Sequence, residues 1–274
     1  MCKVSVIMPC YNDGMYIEES IQSVMMQTYK EVELILINDG STDALTNQIL
    51  KKYESKGIIL LNTNQIGPAA ARNRGIQYAT GQYILPLDAD DKIEPTYIEK
   101  AVYAMEQNEK VGIVYCKAEW FGERRGSWEL PPYTLKRMLV DNVIFVTALF
   151  RKTDWEQVGG FCTQLQVGME DYDLWLSLVE LGREVYQIPE VLFYYRKKKQ
   201  SRTVQFQQDA DTVTQTYELI YKRHPKLYTQ YAELYLEGLR EEWVQQVLWK
   251  NRLKQRLGVL QKVFYMPWIK RFLK

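Results

Sequence analysis

Residues 82–91 read Gln-Tyr-Ile-Leu-Pro-Leu-Asp-Ala-Asp-Asp, a short apolar run that stops on three carboxylates. Gln82–Leu87 has the length and apolar density of a buried strand, and Asp88, Asp90 and Asp91 stand at its end. Carboxylates two apart on an extended or turning backbone can approach one divalent cation. Hard cations such as Mg²⁺ or Mn²⁺ take oxygen ligands and share them with substrate phosphates. The same stretch also reads as an acidic turn ahead of a helix near Pro95, and a short motif alone does not separate the two.

Working outward, the first hundred residues alternate apolar runs with helical patterns. Val4–Met8, Glu33–Ile37 and Ile58–Leu61 read as strands that precede the one at 82–87. Ile17, Ile21, Val24 and Met25 recur at helical spacing, as do Leu45, Ile49 and Tyr53, and Gly67-Pro68 opens a helix to about Ala79. Such alternation predicts an α/β fold with a mainly parallel sheet covered on both faces. These sheets bind ligands outside the carboxyl ends of their strands. Polar residues gather at those ends: Tyr11 and Asn12 after the first strand, Asp39 after the second, and Asp88 to Asp91 after the fourth.

The second half is less regular. Strands are expected at Val111–Trp120 and Val143–Phe150, with Phe121–Pro132 as a loop between them. Glu170–Leu181 reads as an amphipathic helix, Val185–Tyr195 as an extended stretch broken by Pro189, and the chain from Asp209 onward as helical. Of 274 residues, 46% are apolar and 25% charged, as in an ordinary soluble globular protein, and the formal charge is +1. That sum excludes a global nucleic-acid binder, but it hides a division. Residues 243–274 hold eight Lys or Arg and no acid, while the rest carries 27 basic against 34 acidic residues, a net −7. Cys2, Cys10, Cys116 and Cys162 are widely spaced, which argues for a reducing compartment over a zinc site or a disulfide framework. No signal peptide and no apolar run near the roughly 18 residues of a membrane span is visible, so a cytoplasmic protein is expected.

Other candidates are ambiguous on residue type alone. Asp39, in the segment Ile37–Asp43, is a plausible turn residue. Arg72, Asn73 and Arg74 sit near a helix start, where a guanidinium pairs with a phosphate or carboxylate, or forms a surface salt bridge. Glu170 and Asp171 open a helix. Acids there are favoured by the macrodipole alone, and they are equally suited to general-base work on a hydroxyl.

Six segments in order change the weighting: VSVIMPCYN (4–12), LILINDGSTD (34–43), GPAAARNRGIQYATGQYILPLDADD (67–91), VGGF (158–161), GMEDYDLWLSL (168–178) and YYRKKKQS (194–201). Together they resemble family 2 glycosyltransferases, inverting enzymes of GT-A fold, over about residues 3–203. The resemblance implies a Rossmann-like GT-A catalytic domain (1–205) with a nucleotide-sugar half (1–110) and an acceptor half (111–205). A helical C-terminal extension (206–274) follows. It implies a pocket for base and ribose from Pro9, Tyr11 and Asp39, with Arg72 near the nucleotide. Asp88 would contact ribose or a metal-bound water, and Asp90 the Mn²⁺ or Mg²⁺ that bridges the diphosphate. Asp171 would be the general base, with Glu170 near acceptor or sugar, and Arg196 would meet the diphosphate. The donor implied is a nucleotide-diphosphate sugar, UDP by preference. The acceptor is a glycan or lipid-linked saccharide, as in the synthesis of a bacterial surface polysaccharide.

The chain departs from that pattern at one place. Many relatives carry a histidine two residues after the arginine of the Tyr-Arg segment, where this chain has Lys198. The run Lys197–Lys199 reads either as a lid over phosphates or as a solvated loop face. The one histidine, His224, is expected on the surface. Trp120, Phe121 and Trp128 are candidates for sugar stacking or for plain packing. Trp249, Leu253, Leu257, Leu260 and Phe264 share a helical face flanked by Lys250, Arg252, Lys254 and Arg256. Such a helix suits peripheral contact with an anionic membrane, or packing on protein. Two alternative functions stay open at this point: a metal-dependent nucleotidyltransferase, and a non-catalytic nucleotide-sugar-binding module.

Overall fold

Strand β1 (Val4–Cys10) is an inner strand of the sheet, with Val4, Val6, Ile7 and Met8 wholly inaccessible. It pairs in parallel with β2 (Val32–Asn38), from Val4 opposite Val32 to Cys10 opposite Asn38, and with β4 (Tyr83–Pro86) on its other side. β3 (Ile59–Asn62) extends the parallel array beyond β2. The computed structural model describes residues 2–198, 206 and 208–264, with side chains to residue 253. Helices α1 (Ile17–Met25), α2 (Ala44–Glu54) and α3 (Pro68–Tyr78) connect these strands. α3 lies so close to the sheet that a Cβ on Gly75 would come within 2.7 Å of Ile7 Cγ2 and 2.8 Å of Ile37 Cδ1. That approach sets the start of α3 beside the ends of β1 and β4.

The expected parallel sheet is parallel only in its first half. After β5 (Lys92–Ile93) and α4 (Tyr97–Gln107) come β6 (Val111–Gly122), β7 (Gly126–Trp128), α5 (Leu135–Val140), β8 (Leu149–Arg151), α6 (Lys152–Val158), α7 (Glu170–Glu180) and β9 (Glu184–Lys197). The order across the sheet is β3-β2-β1-β4-β8-β6-β9-β5, with β7 on β6. β8 runs antiparallel to both β4 and β6, β9 is parallel to β6, and β5 is antiparallel to β9. The result is a mixed α/β sheet flanked by helices.

Three sequence expectations are corrected. Residues 143–148 do not join a strand, although Val143, Ile144, Phe145 and Ala148 are buried. Their backbone bonds are local: Ile144 N donates to Asn142 Oδ1 at 3.1 Å and Ala148 N to Val146 O at 2.9 Å. Pro189 does not break β9. The pairing passes from Cys116–Ile188 straight to Lys117–Val191, so the proline sits in a bulge where no ladder donor is required. The supposed loop at 121–132 contains β7, hairpinned on β6 with Trp128 opposite Ala118.

Beyond β9 lie α8 (Ala210–Arg223), α9 (Pro225–Gln230) and α10 (Ala232–Phe264). No helix among the described residues is long and apolar enough to cross a membrane. α10 packs on α5, with Lys136 bridging to Glu241 at 2.5 Å. The seam with α7 overturns the surface assignment of His224, which is only 2% exposed. Its Nε2 lies 3.1 Å from Asp173 and its Nδ1 3.1 Å from Glu180, while Arg223 donates twice to Asp173 at 2.6 and 3.1 Å. Asp173 has no accessible surface, so its charge is tolerated because two cations meet it. Burial pulls the His224 pKa down, but Asp173 and Glu180 more than reverse this and leave it above the ordinary imidazole value. A histidine raised in the folded state stabilises fully below its unfolded pKa and loses that contribution as pH rises through the folded value. Wild type should therefore exceed His224→Gln in stability by about 2 kcal/mol at pH values below about 6. The gap should close as pH rises through the shifted value. Denaturant melts across pH test this, and a gap that does not change with pH would contradict the charged pairing.

Candidate active site

Strand ends from both halves of the sheet deliver charged groups to one place. β4 ends on Asp88, Asp90 and Asp91, α3 supplies Arg72 from the side, and α7 supplies Glu170 from across the sheet. Arg72 is 2% exposed and joins them: Nη2 donates to Asp88 Oδ1 at 2.6 Å and Nη1 to Glu170 Oε1 at 2.7 Å. Its Nε is buried without a hydrogen-bond partner among the described residues, and the guanidinium lies 5.7 Å from the Phe161 ring. Arg72 pairs with carboxylates, one of the readings its sequence position left open, but inside the protein and not in a surface salt bridge. It is a buried tie between two sequence-distant carboxylates.

The neighbouring asparagine explains a further pair of segments. Asn73 Nδ2 donates to Phe161 O at 2.8 Å, and its Oδ1 accepts from Phe161 N at 2.9 Å. Gly160 adopts φ +81, and a Cβ there would come within 2.9 Å of Asn73 Oδ1. The Gly159-Gly160-Phe161 turn is thus a docking loop for α3.

α7 begins abruptly. Gly168 (φ +142) and Met169 (φ +68) turn the chain through conformations that side chains disfavour, and Glu170 is the first helical residue. Asp171 follows, with Oδ1 accepting from the Tyr172 amide at 2.8 Å. Burial, and then the charge of Glu170, push the Asp171 carboxyl up to about 7 despite that hydrogen bond. A carboxylate poised near neutral pH is suited to take a proton.

The opposite side is built by β9. Arg196 and Lys198, two apart on the strand end, both address the Asp88–Asp91 turn, while Lys197 faces the Trp120 and Tyr195 rings at 5.0 and 5.1 Å. The Arg196 amide donates to Asp91 Oδ1 at 2.8 Å and its Nε to Asp90 O at 2.7 Å, and its Nη2 pairs with Glu19. Lys198 Nζ lies 2.7 Å from Asp90 Oδ2 and 3.0 Å from Asp13 Oδ1. Lys198 is therefore no solvated loop residue; Lys199 lies outside the described residues. Asp91, 1% exposed, has its pKa pushed well up by burial and by Asp90 and Asp88. Asp90 is raised for the same reasons, with Lys198 opposing.

Pro9 lies within β1, and Tyr11 at its end is 41% exposed. Asp39 N donates to Cys10 O, which aligns the two strand ends. The Asp39 carboxylate is spent on its own protein: it accepts from Thr63 Oγ1 and Ile66 N at 2.7 Å and from Gly67 N at 2.9 Å. Trp128, half-buried, packs against Tyr195 and Phe145 at 4.9 and 5.9 Å. Sequence reasoning passed over Asp13, Glu19 and Tyr16, and their signal is faint. They lie between the end of β1 and the first turn of α1, with Tyr16 at the N-cap and Glu19 inside that turn.

The oxygen chemistry of Asp88 and Asp90 suits a hard cation, but Arg72 holds one oxygen of the first and Lys198 one of the second. Among the described residues no three His, Cys, Asp or Glu side chains converge as a metal site. As arranged, the residues do not fit a divalent ion.

The family model described as glycosyl transferase family 2 matches residues 5–157. The putative glycosyltransferase EpsE of Bacillus subtilis is 32% identical over 203 residues, 71% of this chain and 73% of that protein. The chain belongs to glycosyl transferase family 2, whose members are transferases. YibD of Escherichia coli K12, an uncharacterized glycosyltransferase, is 35% identical over 160 residues, 57% of this chain, which spans 44% of YibD. Among solved structures, S. aureus TarS 1–349 in complex with UDP-GlcNAc superposes with TM-score 0.63 at 25% identity, covering 74% of this chain and 60% of that one. The Pyrobaculum calidifontis mannosyltransferase PcManGT, in complex with GDP-Man and Mn²⁺, gives 0.63 at 19% identity over 99% and 83%. That second likeness speaks to the fold alone, which is GT-A.

Arg72 should be structural before it is anything else. Arg72→Met leaves Asp88 and buried Glu170 without their shared cation and should cost about 3–5 kcal/mol in urea unfolding. A loss under about 1 kcal/mol would show that the bridge holds nothing together.

Proposed function

We infer that this chain transfers a sugar from a nucleoside diphosphate sugar, a UDP-sugar by preference, to a hydroxyl of a glycan or lipid-linked saccharide, with inversion. The observation that carries this is the single network Asp171/Glu170–Arg72–Asp88. It ties Glu170 to the acidic strand end where donors meet this fold, and so places the neighbouring Asp171, raised to about 7, beside that end. The TarS structure with UDP-GlcNAc supports a uridine donor.

In this reading Asp171 accepts the proton of the acceptor hydroxyl as its oxygen attacks the anomeric carbon from the face opposite the diphosphate. One carbon–oxygen bond forms while the bond to the departing diphosphate breaks, so one displacement inverts the centre. Glu170, fixed by Arg72, positions the acceptor or sugar. The charge that develops on the diphosphate meets Arg196 at the basic end of β9. Pro9 and exposed Tyr11 form the base side of the pocket, and Asp39 serves it by holding the loop at 63–67 in place. Asp88, with one oxygen on Arg72, offers the other face to ribose. A Mn²⁺ or Mg²⁺ ion would have to displace the Lys198 ammonium to reach Asp90.

Contact with an anionic membrane through 243–274 fits a lipid-linked acceptor. Trp243, Trp249 and Leu253 on α10 are 65%, 61% and 41% exposed, on the segment that carries the basic tail. The side chains of Leu257, Leu260 and Phe264 lie outside the described residues.

Binding of UDP, GDP and dTDP, followed by thermal shift, tests the donor site. Asp171→Asn should keep the nucleotide shift and lose at least about a thousandfold in turnover. Because the base works ionised, wild-type turnover should fall roughly tenfold per unit as pH drops below about 7. Near-normal turnover in the variant would remove Asp171 from the base role. Nucleotide binding with no transfer or donor hydrolysis in wild type would favour a binding module.

A further inference from the structure

The geometry points to Lys198 as a resident cation that takes the place of a divalent metal at Asp90, so that nucleotide diphosphates bind this chain without one. The inference rests on the donor-site reading above and adds to it how the site balances phosphate charge. Lys198 Nζ sits between two carboxylates, 2.7 Å from Asp90 Oδ2 and 3.0 Å from Asp13 Oδ1, and 5.1 Å from the Tyr16 ring. Its backbone has little freedom to withdraw. The preceding residues belong to β9, Arg196 N is bonded to Asp91, and Lys197 O accepts from Glu123 N at 3.2 Å. The side chain keeps 26% of its surface, enough for the third ammonium hydrogen to face a ligand.

A divalent ion bound to Asp90 would stand about 2.1 Å from a carboxylate oxygen. That leaves it within a few ångströms of the ammonium and forces two cations together at a half-buried site. Asp88 does not move the ammonium away, and it could add only its Oδ2, because its Oδ1 is committed to Arg72. An ammonium is a compact point charge that binds phosphate oxygens directly. Arg196 lies on the same strand face and over the same Tyr16 ring, at 4.7 Å, and supplies a second, planar donor. Two fixed cations from one strand end thus face the diphosphate where a metal would otherwise bridge it.

Two measurements test this on the full chain. Affinities for UDP, GDP and dTDP are measured by calorimetry in EDTA and in Mn²⁺, and Mn²⁺ alone is titrated by electron paramagnetic resonance into wild type and Lys198→Ala. Whichever nucleotide binds should do so within about threefold in the two buffers, and Lys198→Ala should bind Mn²⁺ at least tenfold more tightly than wild type. In that variant, nucleotide affinity should become at least tenfold stronger with Mn²⁺ than in EDTA. A wild-type affinity more than tenfold weaker in EDTA overturns the inference while leaving the donor site intact. Equal Mn²⁺ affinity in the two proteins overturns it as well. No nucleotide binding in any buffer would overturn the donor site and this inference with it. Should Lys198→Ala fail to fold, the wild-type comparison decides alone.

Discussion

One buried guanidinium reconciles charges that would otherwise repel. Asp88, Glu170 and Asp171 come from positions 16 to about 100 residues away from Arg72 in sequence, yet they converge around it. Taking an arginine out of water costs several kcal/mol, and two short hydrogen-bonded carboxylates are what offset that. With the bridge in place, α3, the end of β4 and the start of α7 have one mutual arrangement. Asn73 adds a second fastening beside it by clasping the Phe161 backbone from both sides. The raised Asp171 follows from the same arrangement: it stands next to a carboxylate whose charge is already committed to the arginine, in a place where water is scarce.

The second half of the sheet balances the first. β9 reaches the acidic turn because it runs parallel to β6, and it keeps reaching because the bulge at Pro189 absorbs two residues without ending the ladder. Strand alternation then puts Arg196 and Lys198 on the acids and Lys197 on the aromatic face. Acids and bases from both halves share a crevice, where Arg72 pairs with Asp88 and Glu170 and Lys198 pairs with Asp90.

What was legible in the sequence follows the range of the interactions. Buried parallel strands separated by amphipathic helices announce themselves locally, so β1 to β4 and α1 to α3 lie where the apolar pattern puts them. The site's position was legible for the same reason, since polar residues at several strand ends can only meet in one crevice. Residues 143–148 were misread because burial without ladder bonding leaves the same apolar trace as a strand. His224 was misread because its partners lie far off in sequence, on α7. An isolated cation looks like surface until the fold supplies its anion. Asp13 and Glu19 had the converse problem, as acids in a turn and a first helical turn, where acids are ordinary.

The seam at Asp173 limits how this protein could be re-engineered. Its carboxylate belongs to the helix that presents Glu170 and Asp171, but both of its counter-charges come from the segment after β9. The C-terminal helices are therefore not an interchangeable cassette. Grafting another tail onto this sheet would leave an inaccessible carboxylate bare unless the graft brought its own arginine and imidazole to the same spot. A chimera built at the boundary after β9 must carry that two-residue adapter, Arg223-His224, or lose the register of the helix that holds the site.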